Sequence, residues 1–114
     1  MKAIQTIAGE RDKRFKDWFD ALEFMHEETR KIDFDIAIIG CGAYGFPLAA
    51  KKKQDGKKAV HLGGATQIMF GIKGKRWDSN LNVCKWYNDD WVYPLDIETP
   101  AKRLAVEKGT YWKP

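Results

Sequence analysis

The sequence predicts an α/β protein: a three-layer Rossmann-like domain with a short, mainly parallel sheet and an irregular, aromatic-rich C-terminal third. Three observations lead there. Two compact apolar runs, Phe34 to Ile39 and Lys58 to Leu62, each end abruptly at glycine. Each glycine turn opens into a segment of helical character, Tyr44 to Gln54 and Ala65 to Phe70. After Gly74 the hydrophobic period fades. Strand, glycine turn and helix, repeated, is the alternation of an open parallel sheet.

Taken in order, Met1 to Ile7 alternates well enough for a short strand through Ala3, Ile4 and Ile7. From Asp12 to Lys31, Phe15, Trp18, Phe19, Leu22, Met25 and Thr29 recur at helical spacing, which predicts a helix with one apolar face on the sheet. Phe34 to Ile39 is rich in β-branched residues and reads as a strand buried on both faces, as parallel strands are. In the Tyr44 to Gln54 helix, Pro47 is acceptable only in the first turn, and Asp55-Gly56 supplies the stop. Lys58 to Leu62 is the next strand, and the Ala65 to Phe70 helix stops at Gly71. Trp77 to Pro94 has no clear period, and Ala101 to Lys108 reads as a last helix stopped by Gly109. This final third is expected to wrap over the sheet, anchored by Trp86, Trp91, Tyr93, Tyr111 and Trp112.

The 114 residues fit one domain spanning 1–114, large enough for a core without staples. The net charge of +4 and pI near 9.1 favour anionic ligands but fall short of a specific nucleic-acid binder. Cys41 and Cys84 form no disulfide framework, and with the two histidines far from both they give no zinc spacing, so no metal site is expected. No apolar leader and no run of membrane-spanning length is visible, and a reducing cytoplasm is the expected compartment.

The chemistry gathers at the glycines. Gly40-Cys41-Gly42-Ala43-Tyr44-Gly45 matches GxGxxG between a strand and a helix. Gly40 permits a tight turn, Gly42 lets an anion approach the backbone, and the helix beyond offers unpaired N–H groups and its positive end. The alternative is that Gly40, Gly42 and Gly45 simply allow close helix–sheet packing. The second turn, His61-Leu62-Gly63-Gly64-Ala65-Thr66-Gln67, repeats the design, with Thr66 and Gln67 as added donors. Carboxyl ends of parallel strands share one edge, so both turns should face one crevice. The acidic residue that grips a dinucleotide ribose is missing after the second strand, which argues against a nicotinamide cofactor. His61 reads either as a structural residue or as a base on the ligand edge. Cys41 reads as a small residue that fits the turn, with activation by the helix end as the alternative. Lys73, Lys75 and Arg76 can close over a phosphate, and Trp77 can stack on a base or sugar; a solvated basic loop is the other reading. Asp89 and Asp90 read as a solvated acidic pair.

The stretch Ile36 to Ala50, with GCGAYGFP at its centre, resembles the C-terminal half of bacterial proteins with a GT-D-like glycosyltransferase fold. So does His61 to Trp77, HLGGATQIMFGIKGKRW, and Glu107 to Trp112 is similar to that family's ending with Thr110 in place of a cysteine. The resemblance implies a nucleotide-sugar-binding domain, its phosphates on Gly42, Gly45, Gly63 and Gly64 and their charge balanced by Lys73, Lys75 or Arg76. Tyr44 falls within the same motif. Family members are usually much longer, and their acidic metal-binding motif lies in the N-terminal half. This chain then corresponds to one half of the fold, inactive in transfer by itself, with a nucleoside-diphosphate sugar as ligand and no certain cofactor. The alternative is a non-catalytic interaction domain that forms homo-oligomers through its aromatic C-terminal third.

Overall fold

The computed structural model describes residues 1–114, which divide into two compact units: residues 1–6 with 11–66, and residues 7–10 with 67–114.

The first unit opens with coil instead of the expected strand. Ile4 is nevertheless buried, its amide directed at the Met25 sulfur at 3.5 Å. Helix α1 is Trp18–Arg30, shorter than the expected Asp12 to Lys31. The start is set by Asp17, which is extended and whose carboxylate accepts the Asp20 amide, while the Lys16 amide is drawn off to the Asp20 carboxylate. The buried face of α1 is Ala21, Leu22, Met25 and His26, and Phe19, expected on that face, is 72% exposed.

Strand β1 (Ile36–Ile39) pairs in parallel with β2 (Lys58–His61), Ile36 opposite Lys58 and Ile39 opposite His61. Between them a 3-10 turn, Gly42–Tyr44, leads into α2 (Gly45–Gln54), with Pro47 in the first turn as expected. Asp55 caps the helix and Gly56, at φ +77°, turns the chain into β2. Side chains alternate across the sheet. Ile39, with Ala37 and Ala59, packs against Leu22, Met25, Tyr44 and Leu48 in the core. On the other face Ile36, Ile38 and Val60 are 49%, 43% and 45% exposed. Burial on both faces is therefore corrected to burial on one: α1 and α2 cover a single side of a two-stranded sheet. The result is a compact α/β arrangement around a small parallel sheet.

Helix α3 (Ala65–Met69) leads out of the first unit, and Gly71, at φ +66°, ends it as expected. The second unit has little regular structure. It holds α4 (Lys75–Asp78), α5 (Leu81–Cys84) and an isolated parallel bridge between Ile72 and Val92. The helix expected over Ala101 to Lys108 is replaced by 3-10 turns at Arg103–Ala105 and Glu107–Gly109. Glu107 and Lys108 take left-handed conformations, at φ +45° and +57°, that no α-helix accommodates. Gly74 is buried because the chain end crosses it: a Cβ there would lie 3.1 Å from the Tyr111 carbonyl oxygen. The Lys75 amide donates to the Trp112 carbonyl and the Arg76 amide to that of Thr110. Of the expected anchors, Trp112 is buried, Trp91, Tyr93 and Tyr111 are half-buried, and Trp86 is exposed. No helix is long and apolar enough to cross a membrane.

Candidate anion site at the paired glycine corners

The two strand ends bring their glycine turns into contact. A Cβ on Gly40 would lie 2.4 Å from Thr66 Oγ1, 2.6 Å from Thr66 Cβ and 2.9 Å from the Gly63 carbonyl oxygen. The Ile39 carbonyl ties the corners together, accepting the Leu62 amide at 3.0 Å and the Thr66 hydroxyl at 3.4 Å. One step along, a Cβ on Gly45 would lie 2.2 Å from the His61 ring, which rests on the start of α2. His61 Nδ1 is 3.3 Å from the Ile39 carbonyl oxygen; the tautomer that donates there leaves the lone pair on Nε2.

Gly40 and Gly45 are thus close-approach glycines. Gly42 and Gly63 have a different task. They take left-handed φ of +54° and +55°, and nothing lies where their Cβ atoms would be. The amides of Gly42, Ala43, Gly63 and Gly64 donate to no carbonyl within the chain. Two of these amides lie in the 3-10 turn that leads into the ten-residue α2 and two in the corner beside it, an arrangement of backbone donors that can accept an anion. Gly42 and Ala43 are exposed and Gly63 and Gly64 half-exposed, so solvent reaches all of them.

The other sequence-selected residues fall into different roles. Tyr44 is buried in the core, stacked on Trp18 at 4.7 Å with its hydroxyl 2.6 Å from Thr6 Oγ1. Cys41 is half-buried against the core, and burial pushes its thiol up to about 11, the opposite direction from activation by a helix end. Gln67, in the second unit, is locked on both sides: its Nε2 donates to the Tyr111 carbonyl at 2.9 Å and its Oε1 accepts from Trp77 Nε1 at 3.2 Å. Trp77 is thereby committed to structure, with Arg76 over its ring. Arg76 also stacks on Tyr111 and is ion-paired with Glu107. Lys75 is exposed, and Lys73 lies over the rings of Tyr87 and Tyr93.

Two features were missed in the sequence. Phe46 is 76% exposed in the first turn of α2, one turn along from Gly42 and Ala43. Its signal was an aromatic side chain next to the last motif glycine, off the Leu48 stripe that enters the core. The second is a buried ion network joining α1 to the end of α2. Lys52, only 1% exposed, donates to Asp55 at 2.8 Å, and His26 Nε2 is 2.9 Å from the same carboxylate oxygen. Arg30 reaches the other Asp55 oxygen at 2.6 Å, and His26 Nδ1 is 3.2 Å from Glu23, which also takes Lys51. Arg30 first, then Lys52, holds the Asp55 carboxyl well below the usual carboxylate range. Glu23, His26 and Glu27 bring potential metal ligands within 4.8 Å of one another, but Lys51, Asp55 and Arg30 already engage them. No buried side-chain nitrogen or oxygen lacks a partner, the mark of a structural network. A concavity of about 470 Å³ beside it, lined by Arg30, Phe34, Lys52 and Lys57, opens at the amino ends of the strands, away from the glycine corners.

No family model, curated protein or solved structure matches the chain. Its chemistry is therefore argued from its own residues.

Proposed function

We propose that the first unit binds a phosphate-bearing ligand at the paired glycine corners, and that this ligand is the nucleoside diphosphate of a nucleotide sugar. The observation that carries the reading is the set of four unpaired, solvent-reached amides at Gly42, Ala43, Gly63 and Gly64, on corners held in contact through Gly40 and Thr66. Backbone donors at a helix start suit phosphate oxygens and need no cationic side chain. Phe46 supplies an exposed ring where a base or sugar attached to those phosphates can stack. His61 lines the same corner and offers Nε2 as a further polar contact. The GT-D-like resemblance supports the nucleotide-sugar form, in which these donors would stabilise the departing diphosphate. A three-layer arrangement, as the resemblance implies, needs a covering layer over the exposed Ile36, Ile38 and Val60 face.

Titration of the labelled protein with UDP-, GDP- and CMP-sugars and with pyrophosphate tests this by amide NMR. Saturable shifts at Gly42, Ala43, Gly63 and Gly64 are expected. In Phe46→Ala, nucleotide affinity is expected to fall about tenfold while pyrophosphate affinity stays, the loss of one stacking contact. No response to any ligand at millimolar concentration overturns the reading.

The open sheet face favours a second reading, a non-catalytic domain that self-associates, since parallel sheets are ordinarily covered on both sides. In the second unit, taken by itself, Trp86 is exposed and is an aromatic anchor for self-association through the C-terminal third. Light scattering that finds a strict monomer at high concentration removes this reading.

A further inference from the structure

We propose that Lys73 is the centre of a phosphate-binding point within the second unit. The argument starts with the backbone. The parallel bridge between Ile72 and Val92, with the Lys73 amide donating to the Val92 carbonyl at 2.7 Å, fixes where the side chain begins. The ammonium then lies 5.3 Å from the centre of the Tyr87 ring and 5.7 Å from that of Tyr93. Tyr87 in turn packs on Trp91, at 4.8 Å between ring centres, and Trp91 lies beside Gly71, 3.8 Å from where a Cβ would stand. The ammonium is therefore positioned by ring faces, which attract a cation without neutralising it.

The nearby acid is occupied elsewhere. Asp78 accepts the Tyr87 hydroxyl on Oδ1 at 3.0 Å and the Tyr93 hydroxyl on Oδ2 at 2.9 Å. Burial and the Asp78 carboxylate push both phenols up, so they remain donors to Asp78 across the neutral range. No ion pair joins Lys73 to this or any other carboxylate. Arg76, two residues past Gly74, shows the contrast: it has ring contacts as well, but Glu107 neutralises it. Lys75 is exposed, with neither ring nor acid to hold it. Among these cations, Lys73 alone combines ring contacts with the absence of an ion pair, and as a half-buried residue it can offer its ammonium donors to an anion.

The test follows the lysine side-chain NMR signals of the full chain during titration with inorganic phosphate. A saturable shift of Lys73 is expected, lost in Lys73→Met and kept in Lys75→Met. The double variant Tyr87→Phe, Tyr93→Phe keeps both rings but frees Asp78 to compete for the ammonium. Its phosphate affinity is expected to drop about fivefold, with the amide spectrum otherwise retained. An unmoved Lys73 signal in the wild-type chain overturns the proposal, as does a Lys75 shift with the same midpoint, which marks unspecific charge attraction. If Lys73→Met does not fold, the wild-type titration and the tyrosine variant still decide the matter.

Discussion

Gly40→Ala is the sharpest probe of the corner geometry. Its added methyl carbon would stand 2.6 Å from Thr66 Cβ, 2.4 Å from Thr66 Oγ1 and 2.9 Å from the Gly63 carbonyl oxygen. Carbon atoms in contact sit at about 3.5–4.0 Å, so the overlap is on the order of 1 Å. Rotating Thr66 moves Oγ1 away but cannot move Cβ, and the Gly63 oxygen belongs to the backbone. The second corner as a whole must then retreat, loosening the Leu62 and Thr66 bonds to the Ile39 carbonyl. Overpacking of this kind costs about 1–3 kcal/mol, and the rigidity of the obstacles places Gly40→Ala in the upper half of that range. Gly42→Ala meets no atom and carries only the strain of φ +54°, about 1 kcal/mol. Urea denaturation with a common m value compares the two. Thr66→Gly in the Gly40→Ala background should recover part of the loss, with a coupling of at least about 0.5 kcal/mol in the double-mutant cycle. The amide signals of Gly63 and Gly64 should shift in Gly40→Ala and stay in place in Gly42→Ala. A Gly40→Ala cost below about 0.5 kcal/mol, with those signals unmoved, would mean the corners are not packed together and would refute the shared anion site.

Two further outcomes follow from the electrostatics of the first unit. Asp55 has its carboxyl held low in the folded chain by Arg30, then Lys52, so its stabilisation is complete above the unfolded value near pH 4 and is lost as pH falls through the lower folded value. The urea midpoint should decline between about pH 4 and pH 2, and Asp55→Asn should flatten that decline; an identical slope in the variant would exclude the network as its source. Cys41, pushed up to about 11 by burial, has almost no thiolate near neutrality, so mass spectrometry should find it alkylated by iodoacetamide far more slowly in the folded chain than in urea. Equal rates in both states would show that the corner opens freely.

The elements that were legible in the sequence are those with local stop signals. Gly56 and Gly71 take positive φ at two of the three helix ends where the sequence predicts a glycine stop, and β2 begins and ends within a residue of expectation. Where several signals competed, the reading slipped. The helix expected from Asp12 begins only at Trp18, because the Asp17 carboxylate captures the Asp20 amide. The Ala101 to Lys108 segment has helical composition, but Glu107 and Lys108 take left-handed conformations that no α-helix accommodates. The ion network was invisible because its burial is created by α1 lying against α2. Its one trace was that Lys52 stands four residues after Leu48, on the stripe that faces the core, where a lysine demands a buried partner.

The glycine motif itself predicts either anion binding or close packing, and the structure gives its glycines two different reasons to be glycine. Gly40 and Gly45 are glycine because Thr66 and His61 occupy the space of their Cβ atoms. Gly42 and Gly63 are glycine because of their left-handed φ, with open space around them. Left-handed φ with open space is a turn requirement in its own right, as Gly56 shows at the end of α2, so the second pair alone does not imply a ligand. What sets these corners apart from Gly56 is that two of them lie in contact, with four amides that donate to no carbonyl. The proposed anion site rests on that juxtaposition.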